Sequence, residues 1–312
     1  MKLGYACINS TLQAADGITT NRGMRQKTFN EKGLDYVSEL ALQNCRDLVT
    51  IVKWNETMGI KLFRMSSDLF PWMTFYDFKE LPDYVKIINL LKGVGKLADK
   101  YGQRLTFHPS HFNALGSPNP VVVEKAIKEL NKHSEIMDII GLSTTVYNKI
   151  NIHVGGAYGD KEATLKRWID SYYLLDDSTQ KRLTIENDDK ANMYSVKELH
   201  KGIFEQCGVP IVFDYYHHKF CTGDLTEQEA LNLAVDTWPK DIIPCCHYSE
   251  SRREEHLDES IRAQAHSDLI TSTICTYGND VDIVLEAKHK ELAVLNYKQL
   301  NDQWHRPVLK SY

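Results

Sequence analysis

The sequence lacks the features that mark membrane, secreted and zinc-finger proteins. Its 312 residues contain no apolar stretch near the roughly 18 residues that a membrane span needs. The opening segment, MKLGYACINS, lacks the basic, apolar and small-residue zones of a signal peptide. The cysteines are odd in number, seven, and form no CxxC pair, which disfavours both a disulfide framework and a zinc finger. We therefore expect an intracellular protein in a reducing compartment, with Cys245 and Cys246 as buried thiols.

An overall basic excess is also missing, because the formal net charge is −5. Taken alone, this charge argues against a nucleic-acid partner. Bound divalent cations would each add about two positive charges that the count leaves out. Local basic segments exist as well, and each can be a solvated loop or a contact for a polyanion. They are Arg22, Arg25 and Lys27, and Arg252 with Arg253.

What the sequence does contain is a strand-then-helix alternation. Short apolar runs begin near residues 2, 61, 103, 150, 182, 210, 243 and 281, and amphipathic helical patterns separate most of them. No glycine-rich phosphate turn follows the first run, which disfavours a doubly wound open sheet. Eight such units predict an α/β fold, a single (β/α)8 TIM barrel that spans residues 1–312 as one domain.

Six of these runs end on a histidine or a carboxylate. In a barrel the carboxyl ends of the strands meet at one rim, and a mixed imidazole and carboxylate set suits Mn, Zn or Fe. Lysines are scarce at these ends, yet buried carboxylates need cationic partners. A single histidine there could be a core or capping residue, but the joint pattern predicts a polynuclear metal site. Its residues are His108, His153, Glu186, Asp214, His247 and Glu286.

Two further histidines extend this set. His217 follows Asp214 by three residues, so we prefer it to its neighbour His218, and His266 could complete a third ion site. The remaining histidines of charged helical or terminal segments are expected at the surface: His133, His200, His256, His289 and His305.

Several segments together resemble the UV damage endonucleases of the UvdE family, which share a barrel superfamily with endonuclease-IV-type AP endonucleases and sugar isomerases. IENDDK, the FDYYHH run and the LEAK ending form the most specific combination. The others are GYACIN, FRMSSDLFPW, FHPSHFNALGSP, IHVGGAYGDKEATLKRW, HYSESR and AHSDLI.

The resemblance implies a DNA repair endonuclease that nicks immediately 5′ to UV photoproducts by metal-activated water attack, leaving 3′-OH and 5′-phosphate ends. It implies two to three divalent ions per chain, Mn²⁺ first, with Zn²⁺ or Mg²⁺ as alternatives. Glu186, Asp214, His247 and Glu286 would be catalytic, with Glu186 bridging two ions. The implied metal ligands are His108, His153, Glu186, Asp214, His217, His247, His266 and Glu286.

The implied DNA partner is a UV-damaged duplex. We expect a monomer, because a damaged duplex must reach the open rim, and we expect no membrane contact. Tyr5 and Asn9 match family residues that lie near the damaged nucleotides, and Arg22 is a further candidate contact. The family's Gln–Tyr pair, which enters the duplex and fills the gap left by flipped bases, is replaced by His111 and Phe112.

Two other positions depart from the family pattern. Phe75 stands where relatives have a histidine near the site, and Cys245 stands where they often have a lysine. The alternatives to a photoproduct nuclease are an AP endonuclease-type repair enzyme, a metal-dependent sugar isomerase, and a non-catalytic binder of damaged DNA.

Overall fold

The computed structural model describes residues 1–304 of the chain, and its centre is one sheet of eight parallel strands. Each predicted apolar run forms a strand, so the predicted barrel is confirmed. The strands are β1 Leu3–Ala6, β2 Leu62–Met65, β3 Arg104–Phe107, β4 Ile150–Ile152, β5 Leu183–Glu186, β6 Ile211–Val212, β7 Cys245–Tyr248 and β8 Asp282–Leu285.

The ladder runs in the order β6-β5-β4-β3-β2-β1-β8-β7, so β6 and β7 are the two edges. They are joined by a parallel bridge between Asp214 and His247. The amide of His247 also donates to the carbonyl of Phe213 at 2.9 Å. The sheet is therefore a nearly closed barrel, and its seam lies between two of the predicted metal ligands.

Helices cover the outside of the barrel, and most of their ends carry recognisable sequence signals. Asn119 caps the helix that begins at Pro120, and Gly102 ends another in the left-handed conformation that glycine tolerates. The helices are α1 Ser10–Asp16, α2 Gln26–Thr57, α3 Tyr84–Tyr101, α4 Pro120–Ile140, α5 Lys161–Tyr172, α6 Asp177–Gln180, α7 Val196–Leu199, α8 Glu205–Cys207, α9 Tyr215–His218, α10 Glu227–Val235, α11 Arg252–His256 and α12 Glu291–Trp304.

The three-to-four spacing of apolar residues in the sequence predicts a helix that begins at Leu34, but α2 starts earlier. The helix begins at Gln26, and Gly33 interrupts it with a φ of 61°. Only glycine adopts this backbone region readily, so the chain can bend there and continue as a helix. Among the described helices, none is long and apolar enough to cross a bilayer.

The amino ends of the strands are sealed by charged and aromatic side chains. Arg104 Nη1 lies 3.0 Å from Asp282 Oδ2, and both side chains are buried at the first residues of β3 and β8. The Arg104 guanidinium also packs over the rings of Tyr147 and Trp238. These side chains close the amino end of the barrel. A polar functional site can therefore lie at the opposite rim, where the strands end.

One histidine prediction is wrong. His133 was expected at the surface, but it is fully buried in α4, where its ring contacts Phe107 edge-on. Its Nδ1 lies 2.8 Å from the carbonyl of Glu129, one turn earlier. The prediction failed because His133 has charged neighbours in the sequence, although it lies on the buried face of α4. His305 lies outside the described residues. The cysteines are free thiols, and Cys245 and Cys246 are buried as expected.

Candidate metal centre

Glu186 is the centre of the rim cluster. It is the last residue of β5, only 1% exposed, and its two carboxylate oxygens face different imidazoles. Oε2 lies 3.1 Å from both His108 Nε2 and His247 Nδ1. Oε1 lies 3.3 Å from His217 Nδ1 and 3.9 Å from His153 Nε2. One carboxylate therefore connects histidines that come from four different strand ends.

Asp214 is oriented by its own backbone surroundings. It caps α9, and its Oδ1 accepts hydrogen bonds from the amides of Tyr216 and His217 at 2.7 and 2.8 Å. Its Oδ2 lies 4.0 Å from His217 Nε2. The cap thus occupies one carboxylate oxygen and leaves the other facing the cluster. His217 reaches Glu186, whereas His218 packs against Phe213 instead.

Glu286 completes the cluster on the other side. Its Oε1 lies 3.2 Å from His247 Nδ1, and its Oε2 lies 3.7 Å from His266 Nδ1. His266 belongs to the long loop after β7, where a backbone bridge to Ser251 holds it. All eight residues that the sequence analysis assigned to metal binding are therefore brought together at one rim.

Three sets of possible ligand atoms overlap within this cluster. In each set the donor atoms all lie within 4.8 Å of one another, a separation that one shared ion can span. The sets are His108, His153 and Glu186; Glu186, Asp214 and His217; and Asp214, His247 and Glu286.

The unpaired atoms of the cluster fit a cation. His153 Nδ1, Asp214 Oδ2 and His247 Nδ1 are buried and form no hydrogen bond of good geometry within the described residues, although carboxylate oxygens lie 3.1 to 3.3 Å from the two nitrogens. Leaving buried polar atoms unsatisfied is costly. The donor set of imidazole nitrogens and carboxylate oxygens is also the one that Mn, Zn and Fe prefer. These clusters could therefore hold metal ions.

The pKa values of neighbouring residues in the cluster are shifted in opposite directions. Burial lowers the pKa of His247 to about 4, against the pull of Glu186. Burial also opposes charge on His153, but Glu186 and Asp188 outweigh it and raise its pKa to about 10. Burial raises the pKa of Asp214 to about 7. In Glu186 the nearby His247 and His153 overcome burial, and the pKa falls well below its usual range.

Comparison with known proteins agrees with this geometry. The family model described as UV-endonuclease UvdE matches residues 1–306. The chain belongs to the UvdE family. Against the crystal structure of SacUVDE, this UvdE-family chain gives a TM-score of 0.84 at 28% identity, covering 98% of this chain and 100% of that one.

Relatives of other organisms carry matching names. A UV-damage endonuclease of Schizosaccharomyces pombe is 35% identical over 303 residues, 94% of this chain but 49% of that protein. A UV DNA damage endonuclease of Bacillus cereus is 32% identical over 282 residues, 87% of this chain and 85% of that protein. The chain thus spans about half the length of the fungal relative. A 3-keto-D-glucoside 4-epimerase, at 13% identity and a TM-score of 0.58, shares the fold alone.

Two cations inside this UvdE-family barrel were missed by the sequence analysis. Arg64, on β2, forms an ion pair with Glu286 through Nη1. Lys149, just before β4, is fully buried, and its Nζ lies 3.0 Å from His247 Nε2. Lysines are scarce at the strand ends, as the sequence indicates, but these two cations reach the cluster from within β2 and from the residue before β4.

Other missed residues hold the ligands in place. Asn151 donates a hydrogen bond to Glu186, and Asp188 Oδ1 lies 3.3 Å from His153 Nδ1. A period of two along a strand places residues 149, 151 and 153 on one face. The position of His153 could therefore have identified Lys149 and Asn151 as its inward neighbours.

Three of the predicted DNA contacts make internal interactions. Tyr5 and Asn9 are both buried, and Asn9 Nδ2 donates to the Tyr5 hydroxyl at 2.9 Å. Either residue could contact DNA only if the loop after β1 moved. Arg22 donates to Asp47 and to the carbonyl of Thr19 at 2.6 Å, so its guanidinium is already engaged.

His111 and Phe112 are placed differently. Both are exposed on the loop after β3, where their ring centroids lie 4.2 Å apart, and Phe112 is 75% exposed. Of the two departures from the family pattern, Cys245 is buried within β7, whereas Phe75 is exposed and packs on other aromatic rings.

Proposed function

We propose that this chain is a metal-dependent endonuclease that nicks DNA immediately 5′ to UV photoproducts, both cyclobutane pyrimidine dimers and 6-4 photoproducts, and leaves 3′-OH and 5′-phosphate ends. The observation that carries the metal dependence is Glu186, whose two oxygens face imidazoles from four strand ends. The choice of damage is supported by the relatives' names, which specify UV damage.

The ions would be divalent, two to three per chain and most readily Mn²⁺, held by the eight clustered histidines and carboxylates. When bound, they supply activation of the attacking water and neutralisation of charge on the phosphate. The opposed faces of the Glu186 carboxylate support a bridging role for this residue, with one oxygen toward His108 and the other toward His217.

The chain's own residues orient this chemistry. The α9 cap fixes the Asp214 carboxylate, Arg64 fixes Glu286, and Asn151 fixes Glu186. Such outer contacts set the direction of ligand atoms and preserve the geometry that a reaction needs. Asp214, Glu186, His247 and Glu286 are the residues we assign to catalysis.

The exposed pair His111 and Phe112 is the proposed lesion probe. A planar ring at the rim can fill the gap left by an unstacked base, and an imidazole can add hydrogen bonds. Both side chains are exposed and so contribute little to the stability of the fold. Exposed apolar side chains of this kind are candidates for contacts with a ligand.

The test is a duplex with one defined photoproduct, incubated with Mn²⁺ or with EDTA. We expect a single nick directly 5′ to the lesion in Mn²⁺, none in EDTA, and none with Glu186→Gln. Glu162→Gln, an isosteric change at an exposed position of α5, should cut like the unaltered chain. Cleavage confined to an abasic site would favour the AP endonuclease alternative. Aldose–ketose turnover without DNA cleavage would exclude both nuclease functions.

A further inference from the structure

Three aromatic side chains form a partly exposed cluster beside the rim. The ring centroids of Phe29, Trp72 and Phe75 lie 5.5 to 5.8 Å from one another. Phe75 is 59% exposed, whereas Trp72 is half-buried beneath it. We call these three residues the aromatic patch. An exposed aromatic ring supported by two others is an apolar surface of the kind that marks a binding site.

The patch is held in a strained backbone. Trp72 has a φ of 56°, in the left-handed region that bulky residues rarely adopt. Its indole Nε1 donates to the carbonyl of Met24 at 3.1 Å, which ties the loop after β2 to the segment before α2. This bond fixes the ring on which Phe29 and Phe75 pack, so the exposed Phe75 ring rests on a supported base.

The patch lies on the rim side of the barrel. Phe29 belongs to the segment that follows β1, and Trp72 and Phe75 belong to the segment that follows β2. The loop after β2 also touches a predicted ligand, because Ser67 Oγ donates to the carbonyl of His108 at 3.2 Å. A molecule that covers the metal centre can therefore extend onto the patch.

Positive charge flanks the patch. Arg25, the residue before α2, and Lys27, in its first turn, are both exposed, and the amide of Phe29 donates to the carbonyl of Arg25. Across residues 1–304 no ion pair or side-chain hydrogen bond engages Arg25, and Lys27 has only an exposed partner, Glu31, at 3.8 Å. Aromatic rings beside exposed cations favour a ligand with flat rings and phosphates.

We propose that the aromatic patch stacks an unpaired nucleobase of the bound DNA, with Arg25 and Lys27 facing its backbone. The inference rests on the proposed function for the presence of DNA at the rim. It assigns to Phe75 a stacking role separate from that of Phe112, which lies on the next loop.

The experiment measures fluorescence anisotropy of labelled duplexes in EDTA, which prevents metal-dependent cleavage. One duplex carries a two-nucleotide unpaired bubble, and a second is fully paired. The variants are Phe75→Ala, Phe75→Leu and Phe75→Trp. Tyr173→Ala is the matched control, because Tyr173 is 58% exposed at the end of α5, on the opposite side from the rim. Mn²⁺ titration calorimetry verifies that each variant keeps its metal centre.

We expect Phe75→Ala and Phe75→Leu to weaken binding of the bubble duplex about tenfold, the loss typical for one stacked base. Phe75→Trp and Tyr173→Ala should bind the bubble duplex with unchanged affinity. All variants should bind the fully paired duplex with the same affinity. The proposal is overturned if Phe75→Leu binds like the unaltered chain, if both duplexes lose affinity equally, or if the unaltered chain does not prefer the bubble. The proposed function is judged separately, by nicking of a lesion duplex by the unaltered chain.

Discussion

Lys149 Nζ lies 3.0 Å from His247 Nε2, and both side chains are fully buried inside the barrel. The ring is therefore held with Nδ1 toward Glu186 and Glu286, at 3.1 and 3.2 Å. Histidine ligands of metals usually bond through their second nitrogen to a carboxylate, a carbonyl or water. In the proposed metal centre that place is taken by the amine of Lys149, and we assign Lys149 a positioning role for His247.

Lys149→Met should weaken Mn²⁺ binding by about 10- to 100-fold, because the His247 ring loses the contact that orients it. The melting temperature of the metal-free protein should not fall, since an apolar side chain replaces a fully buried polar amine. Calorimetric titration with Mn²⁺ measures the first effect, and thermal unfolding in EDTA measures the second. Lys92→Met, at an exposed position of α3, is the control. Unchanged Mn²⁺ affinity would refute the positioning role.

Arg64→Met should destabilise the metal-free protein by about 3 kcal/mol, because it leaves the largely buried Glu286 without its ion-pair partner. Mn²⁺ should restore more stability to this variant than to the unaltered chain, since a bound cation can replace the guanidinium charge. Urea unfolding with and without Mn²⁺ tests both statements.

The control for Arg64 is Lys166→Met, which removes an exposed pair with Asp170. Pairs of this kind contribute less than about 1 kcal/mol. If Arg64→Met behaved like this control in EDTA, the Arg64–Glu286 pair would have no role in stability.

His133 should make stability depend on pH. Burial lowers its pKa to about 4, against an ordinary value of 6.5, so the folded state binds the proton less readily than the unfolded state. This contribution is complete above about pH 6.5 and is lost as pH falls toward 4, by up to about 3 kcal/mol. Urea unfolding at pH 7.5 and pH 5 measures the loss.

His133→Gln should be less sensitive to that pH change than the unaltered chain, although it is less stable at neutral pH. His289→Gln, at an exposed position, should keep the original pH dependence. Equal pH dependence in all three proteins would show that His133 is not responsible.

Phe112→Ala should weaken binding of a photoproduct duplex about tenfold, the effect expected for loss of one stacking ring. Folding should be unaffected, because Phe112 is 75% exposed. The comparison is Leu257→Ala, which removes an apolar side chain that is 93% exposed on the loop after β7. Equal affinity of the two variants for the photoproduct duplex would leave the probe-loop assignment without support.

The barrel and its ligand rim could be predicted because both depend on simple patterns. Apolar runs of strand length repeat eight times, and ionisable residues such as Glu186 and His247 end them. The parallel topology then brings those ends together. The helix start at Gln26 was missed because the turn before Gly33 carries few apolar residues.

The inner charges were harder to predict. Arg64 lies within β2 and Lys149 directly before β4, and a charged residue in such a segment is usually taken as outward-facing. Their burial depends on partners that come from distant strands, and a sequence alone does not pair these residues. Tyr5 and Asn9 illustrate the reverse case: the family resemblance suggested that they contact DNA, but both are buried, and Asn9 caps α1 and donates to the Tyr5 hydroxyl.

The predicted ions would also stabilise the junction between β6 and β7, which is the seam of the barrel. β6 has two residues, and its junction with β7 consists, in the described part of the chain, of the Asp214–His247 bridge beside the Phe213 carbonyl. An ion that binds both Asp214 and His247 would act as a clasp across this junction. Metal binding would then also stabilise the closed barrel, and opening of the seam would separate Asp214 from His247 and weaken the ion site.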